Sequence, residues 1–150
     1  MELTWTLKTF NDLTANELYH ILRLRSEVFV VEQNCVFLDA DNKDQIAHHY
    51  MCWNENDLLA YTRLLPAGFA YEHVSIGRVV TSPRARNQGI GKLLMEQSIG
   101  ECVKLFNADI IKIGAQLYLK KFYESFGFTQ SSEIYVEDGI DHIEMLLTVS

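Results

Sequence analysis

The chain has 150 residues, 48% of them hydrophobic and 22% charged, with a formal net charge of −7. That size and balance predict one soluble domain over residues 1–150, and the acidity argues against a nucleic-acid partner, which needs a basic face to displace counterions. No apolar run approaches the ~18 residues of a membrane span. The start, MELTWTLKTF, lacks the basic and apolar stretches of a signal peptide. Cys35, Cys52 and Cys102 are odd in number and far apart, which suits neither a disulfide framework nor a zinc site. A reducing cytoplasm is the expected location.

LTWTLKTF alternates like a half-buried strand. A helix is predicted to begin at Thr14, where Thr14 and Glu17 form a capping box and Leu13 with Leu18 a hydrophobic staple. Its apolar stripe runs through Ile21, Leu22, Val28 and Phe29, with Arg25 at the margin. FLDADNKDQ is an acidic loop without the glycine and terminal glutamate of a calcium loop. HHYMCW and LLAYTRLL read as a hairpin across Asn54–Asp57. Adjacent His48 and His49 point to opposite faces of that strand, so they cannot chelate one metal, and no metal is expected.

His73–Thr81 is a third strand of this run, ended by Pro83. Gln88–Phe106 is helical in period. DIIKIGAQ is an apolar strand expected to be buried on both faces. LYLKKFYES is a helix closed by Gly127. The final hairpin turns at Glu137–Asp138–Gly139. The order β-α-β-β-β-α-β-α-β-β predicts a single α/β domain with a mixed central sheet.

Chemistry concentrates in TSPRARNQGIGKLL, between the third strand of the run and the long helix. A Walker loop fails here, because Arg86 occupies its first glycine position and Leu93 its Ser/Thr. A dinucleotide fingerprint fails at Leu94. Arg86-x-x-Gly89-x-Gly91 before a helix remains a good pyrophosphate cradle. Helix-start amides lack acceptors, and glycines let oxygen atoms approach the amides of Gln88, Gly89, Ile90, Gly91 and Lys92. Arg84, Arg86 and Lys92 add positive charge. A solvated, glycine-assisted helix start is the bland alternative.

R-x-x-G-x-G in this context resembles motif A of the GCN5-related N-acetyltransferase (GNAT) superfamily. Phe122-Tyr123-Glu124-Ser125-Phe126-Gly127-Phe128 resembles its motif B. RSEVFVVEQNC, LKKFYESFGF and IYVEDGIDHIEM further resemble the ElaA-type subfamily. The resemblance covers Leu3 to Val149. It implies a sheet splayed between the fourth and fifth strands, with acetyl-CoA as co-substrate in the gap. By that resemblance Val79 and Thr81 offer backbone bonds to the pantetheine, Val80 lies by the thioester, and Asn87 and Phe122 border the cofactor. Gln116 stands where many members carry asparagine.

The same resemblance gives Tyr123 as general acid. A phenol of pKa near ~10 stays protonated at neutral pH and can donate to the departing sulfur. It also places Arg25, Glu32 and His142 by the acceptor, with Arg25 either pairing with the acceptor or holding the acidic loop. Candidate bases are Glu32, Glu72, His73, His142, Glu144 or a relayed water, and the sequence chooses none. The expected function is acetyl transfer from acetyl-CoA to a primary amine, of a small molecule or a protein, by direct attack. A CoA-binding sensor or interaction module with little turnover is the alternative. The acidic balance suggests a cationic acceptor, and a homodimer is open because relatives often pair.

Overall fold

A computed structural model describes residues 2–149. Strand β1 (Thr4–Thr9) leads to helix α1 (Ala15–Arg25). The capping box forms: Thr14 Oγ1 accepts from the Glu17 amide at 3.0 Å, and Glu17 Oε1 from the Thr14 amide at 2.8 Å. These bonds satisfy two groups that a helix start otherwise leaves open. Beyond Arg25 the turn widens into a π-helical segment, Ser26–Glu32, closed by bonds from Gln33 N to Val28 O and Cys35 N to Val30 O.

Three antiparallel strands follow: β2 (His48–Asn54), β3 (Asp57–Leu65) and β4 (Val74–Thr81). Helix α2 (Ile90–Phe106) starts two residues later than expected, because Asn87 and Gly89 take positive φ angles of 64° and 75°. Then come β5 (Ile110–Gln116), the short helix α3 (Lys120–Glu124), β6 (Thr129–Gln130), β7 (Tyr135–Glu137) and β8 (Ile140–Thr148). Gly127, at φ 101°, closes α3, and Asp138–Gly139 make a turn with both φ positive. That geometry matches the right-handed twist of the flanking strands.

The sheet order is β1-β2-β3-β4-β5-β8-β6, with β7 also on β8. Met95 and Cys102 of α2, with Tyr123 and Phe128, pack on one face of the sheet, and Ile21, Leu24 and Val28 on the other. Strand β5 is not buried on both faces. Ile111, Ile113 and Ala115 are buried, while Lys112 turns outward to Glu144 Oε1 at 3.1 Å and Gly114 is exposed. The apolar composition hid an alternation in which the aliphatic stem of Lys112 and a glycine fill the outer positions.

Parallel pairing of β4 with β5 is confined to Val74↔Ile111 and Ser75↔Lys112. Past those pairs the strands part, which frees the facing backbone groups of Ile76–Thr81 and Ile113–Gln116. A bulge lies on the other edge of β4 at this level: β4 spends one residue more than β3 between the pairs Tyr61↔Val80 and Arg63↔Gly77. Arg78, within that bulge, adopts φ 48°, a conformation that costs a non-glycine residue about 1–2 kcal/mol.

Candidate active site

The parted strands open into a cleft of about 700 Å³. Its floor includes Val79, Val80 and Thr81 of β4, and one end is the start of α2, where Arg86, Asn87, Gly89, Ile90 and Gly91 line it. The first bond along α2 runs from Leu93 N to Gly89 O at 3.2 Å. The amides of Ile90, Gly91 and Lys92 therefore have no acceptor within the helix, and its dipole favours an anion there. A Cβ on Gly91 would lie 3.6 Å from Thr81 Oγ1 and 3.9 Å from Phe122 Cζ. Glycine thus leaves this part of the cleft unfilled.

The opposing wall is the π-helical segment. Widening the turn brings Val28, Phe29, Glu32 and Gln33 to the cleft. Two contacts bridge the walls. Glu32 meets Arg86 through two bonds of 2.6 and 2.7 Å, which hold the Glu32 carboxyl below its usual range. Gln33 and Gln116 exchange amide bonds at 3.2 and 3.4 Å. Gln116 is thus engaged by a side chain that sequence spacing did not pair with it.

Tyr123 and Phe122 of α3 reach the cleft from below. Tyr123 is 5% exposed and packs edge-on against Phe122 and Phe128. Burial, and then neighbouring Tyr118, push its phenol above the ordinary value, so it remains a proton donor. His142 lines the far end, where it pairs with Gln116 across β5 and β8.

Four predicted site residues lie elsewhere. Arg25 is fully buried, with Nε at 2.7 Å from Asp39 Oδ2 and Nη1 at 2.8 Å from Asp44 Oδ1. It does not face the acceptor; it holds the acidic loop, the other role weighed for it. Arg84 turns to Asp57 at 2.7 Å and away from the cleft. Gln88 and Lys92 are exposed outside the cleft lining, so their backbone amides, not their side chains, belong to the helix start. Of the candidate bases, only Glu32 and His142 line the cleft; Glu72, His73 and Glu144 do not.

The acetyltransferase (GNAT) domain family matches residues 13–149. The chain belongs to the GNAT family. Within it, the chain is 39% identical to Protein ElaA of Escherichia coli over 95% of each sequence. The crystal structure of Escherichia coli ElaA superposes with a TM-score of 0.91 at 37% identity, covering 97% of this chain and 99% of that one. An acyl-CoA N-acyltransferase from Pseudomonas aeruginosa superposes with a TM-score of 0.93 at 43% identity, covering 98% and 100%. The GNAT features of the cleft are its splayed strands, glycine-opened helix start and motif B tyrosine.

A buried charge cluster that no local sequence pattern marks lies behind this GNAT cleft. Arg63 bonds Asp41 at 2.7 Å and Asp44 at 3.0 Å. Arg78 lies 2.8 Å from Asp39 Oδ1 without hydrogen-bond alignment, and donates to the Asp39 carbonyl at 2.9 Å. Three arginines thus balance Asp39, Asp41 and Asp44, and through Arg78 they brace the β4 bulge. Burial alone would raise the Asp44 carboxyl, but Arg25 and then Arg63 outweigh it and hold it low. His49 sits beside this cluster, between Tyr61 Oη at 2.6 Å and the Asp44 carbonyl at 2.9 Å. Burial depresses its pKa, and it remains a neutral structural histidine.

Proposed function

We propose that the protein transfers an acetyl group from acetyl-CoA to a primary amine by direct attack within a ternary complex. One observation carries this reading: a single cleft runs from the unbonded amides of α2, along the free edges of β4 and β5, to the phenol of Tyr123. The helix start suits a diphosphate and the free strand edges suit the amides of a pantetheine arm. The amine nitrogen bonds to the thioester carbonyl carbon, the C–S bond breaks, and Tyr123 gives the leaving sulfur its proton.

Direct attack is supported by the state of the thiols. Burial pushes Cys52 up to about 11 and Cys102 up to about 12, far from thiolate at neutral pH. Cys35 borders the cleft, but its Sγ–H donates to the Asp138 carbonyl at 3.0 Å. The acidic surface supports a cationic acceptor, and the buried reduced thiols a cytoplasmic location.

Calorimetry with CoA, followed by thiol release with acetyl-CoA and a panel of primary amines, tests the reading. Binding with amine-dependent release is expected. Absence of any CoA heat overturns the reading, and binding without release from any amine makes the protein a CoA-binding module. Tyr123→Phe keeps the packing and removes the proton, so kcat is expected to fall about 100-fold with CoA affinity retained. Equal turnover at every pH would remove Tyr123 from the chemistry.

A further inference from the structure

His142 is held in a way that its role as a strand residue does not require. It is 8% exposed and lines the cleft, and its ring stacks on Tyr135 with centroids 5.8 Å apart and planes at 25°. Nδ1 lies 2.7 Å from the Ile140 carbonyl, which accepts only, so Nδ1 carries a proton. In the neutral ring Nε2 is therefore a bare lone pair. The Glu137 carboxylate lies 3.7 Å from it, beyond hydrogen-bond reach. Two acceptors thus face one another at the cleft wall, and a group with several N–H donors satisfies both.

We propose that the acceptor amine enters as its ammonium, docks between Nε2 of His142 and the Glu137 carboxylate, and gives its proton to His142. This rests on the acetyl-transfer reading and supplies the base which that reading lacks. One ammonium proton passes to Nε2, and the resulting imidazolium is held by Ile140 O and Glu137. The freed amine bonds to the carbonyl carbon, the C–S bond breaks, and Tyr123 protonates the sulfur. The second proton lost from nitrogen restores Tyr123 through solvent, and His142 releases its own to solvent.

The neighbourhood defines the class of amine. Cys35 pins the 33–37 stretch against the β7–β8 turn, and Phe37, Phe29 and Ile140 line the same cleft. An ammonium on an apolar carbon skeleton fits these walls better than an amino sugar. Charged and titratable groups on the elements about the ring are Glu137 and Tyr135 of β7, Asp138 of the turn, Asp141 and Glu144 on β8, Cys35 opposite the turn, Lys112 on β5 paired with Glu144, and Tyr71, whose ring covers Lys112 at 4.9 Å. Lys112 is already paired, which leaves Glu137 as the carboxylate facing Nε2.

The test is a long-range ¹⁵N spectrum of the imidazoles at about pH 7.5, with His142→Gln identifying the signal. A protonated Nδ1 and bare Nε2 are expected, with Nε2 shifting on addition of n-butylamine or 2-phenylethylamine but not of the matching alcohols. A proton on Nε2 in the free protein, or equal responses to amine and alcohol, overturns the proposal. In kinetics, His142→Gln is expected to lower kcat/KM for amine about 100-fold near neutrality. The deficit should close toward ~pH 10, where the amine sheds its own proton, while CoA affinity stays that of the wild type. A pH-independent deficit overturns the base role and leaves acetyl transfer standing; loss of CoA binding by the wild-type protein removes acetyl transfer itself.

Discussion

The turn at residues 86–92 and the loop at residues 37–44 both shape the cleft, by opposite physical means. The turn is exposed but for Ile90 and Gly91, lies within one short stretch, and presents backbone amides that have no acceptor within the helix. The loop is pinned by Arg25, Arg63 and Arg78, which come from α1, β3 and β4. An exposed ligand grip tolerates local change, because water replaces whatever contact is lost. A buried charge cluster does not, because each ion removed leaves another without its partner in a medium that solvates it poorly. On the proposed function, stability is therefore concentrated in the loop's anchors and ligand affinity in the turn.

Breaking the loop's anchor has the largest expected effect. Arg25→Ala takes from Asp39 and Asp44 the one arginine they share, leaving Arg78 beside the first and Arg63 beside the second, and should cost about 3–5 kcal/mol in a denaturant titration. A loss below ~1 kcal/mol, as for an exposed pair, would erase the contrast between the two regions. The acid limb tests the same cluster. Burial acts to raise both Asp41 and Asp44, but bonds to Arg63 and Arg25 respectively hold each below its ordinary value. A depressed folded-state pKa contributes stability above the unfolded value of ~4 and loses it as pH falls through the folded one. The wild-type protein should weaken below about pH 4, and Arg25→Ala should weaken less steeply over the same window.

The same contrast governs what the sequence discloses. The glycine-opened helix start was legible because its pattern, one arginine and two glycines ahead of a helix, lies within eight consecutive residues. Tyr123 was legible through the aromatic and glycine spacing of its helix. The charge cluster was not, since no local pattern brings Arg25, Arg63 and Arg78 to one loop; helical periodicity showed only that Arg25 borders the apolar stripe. The π-helical segment left no signal either, because Val28 and Phe29 continue the stripe whether or not the turn widens. At two residues, β6 is too short for alternation to register. The mixed character of the sheet followed from turns and helix crossovers, while the splay came from the family resemblance; the strand order did not follow, since β1 and β2 pair antiparallel across α1 and β8 inserts between β5 and β6.

Gly91→Ala probes the turn in the same way. The added methyl makes only ordinary contacts with Thr81 and Phe122. Alanine also favours the helix over glycine by up to about 1 kcal/mol. Folding stability should therefore hold or rise, while CoA affinity falls about 10-fold as the methyl takes space beside the helix amides. Thermal unfolding and calorimetry on one preparation separate the two effects. A variant that loses stability and affinity together would place the glycine's role in folding.

The smallest expected effect lies at Glu32, where the cleft walls meet. Arg86 is the one arginine of the junction that lines the cleft, and Glu32 engages it through both guanidinium Nη atoms. A diphosphate at the helix start competes with that carboxylate for the same donors. Both side chains are about two-fifths exposed, at 41% and 39%, so solvent and salt screen the pair. Glu32→Gln keeps the shape of the side chain, removes its charge, and should tighten CoA binding about 2–3-fold at low salt, with the gain fading toward ~1 M salt. Weaker binding in the variant would instead mean that Glu32 orients Arg86 for the diphosphate, and that the bridge assists the cradle.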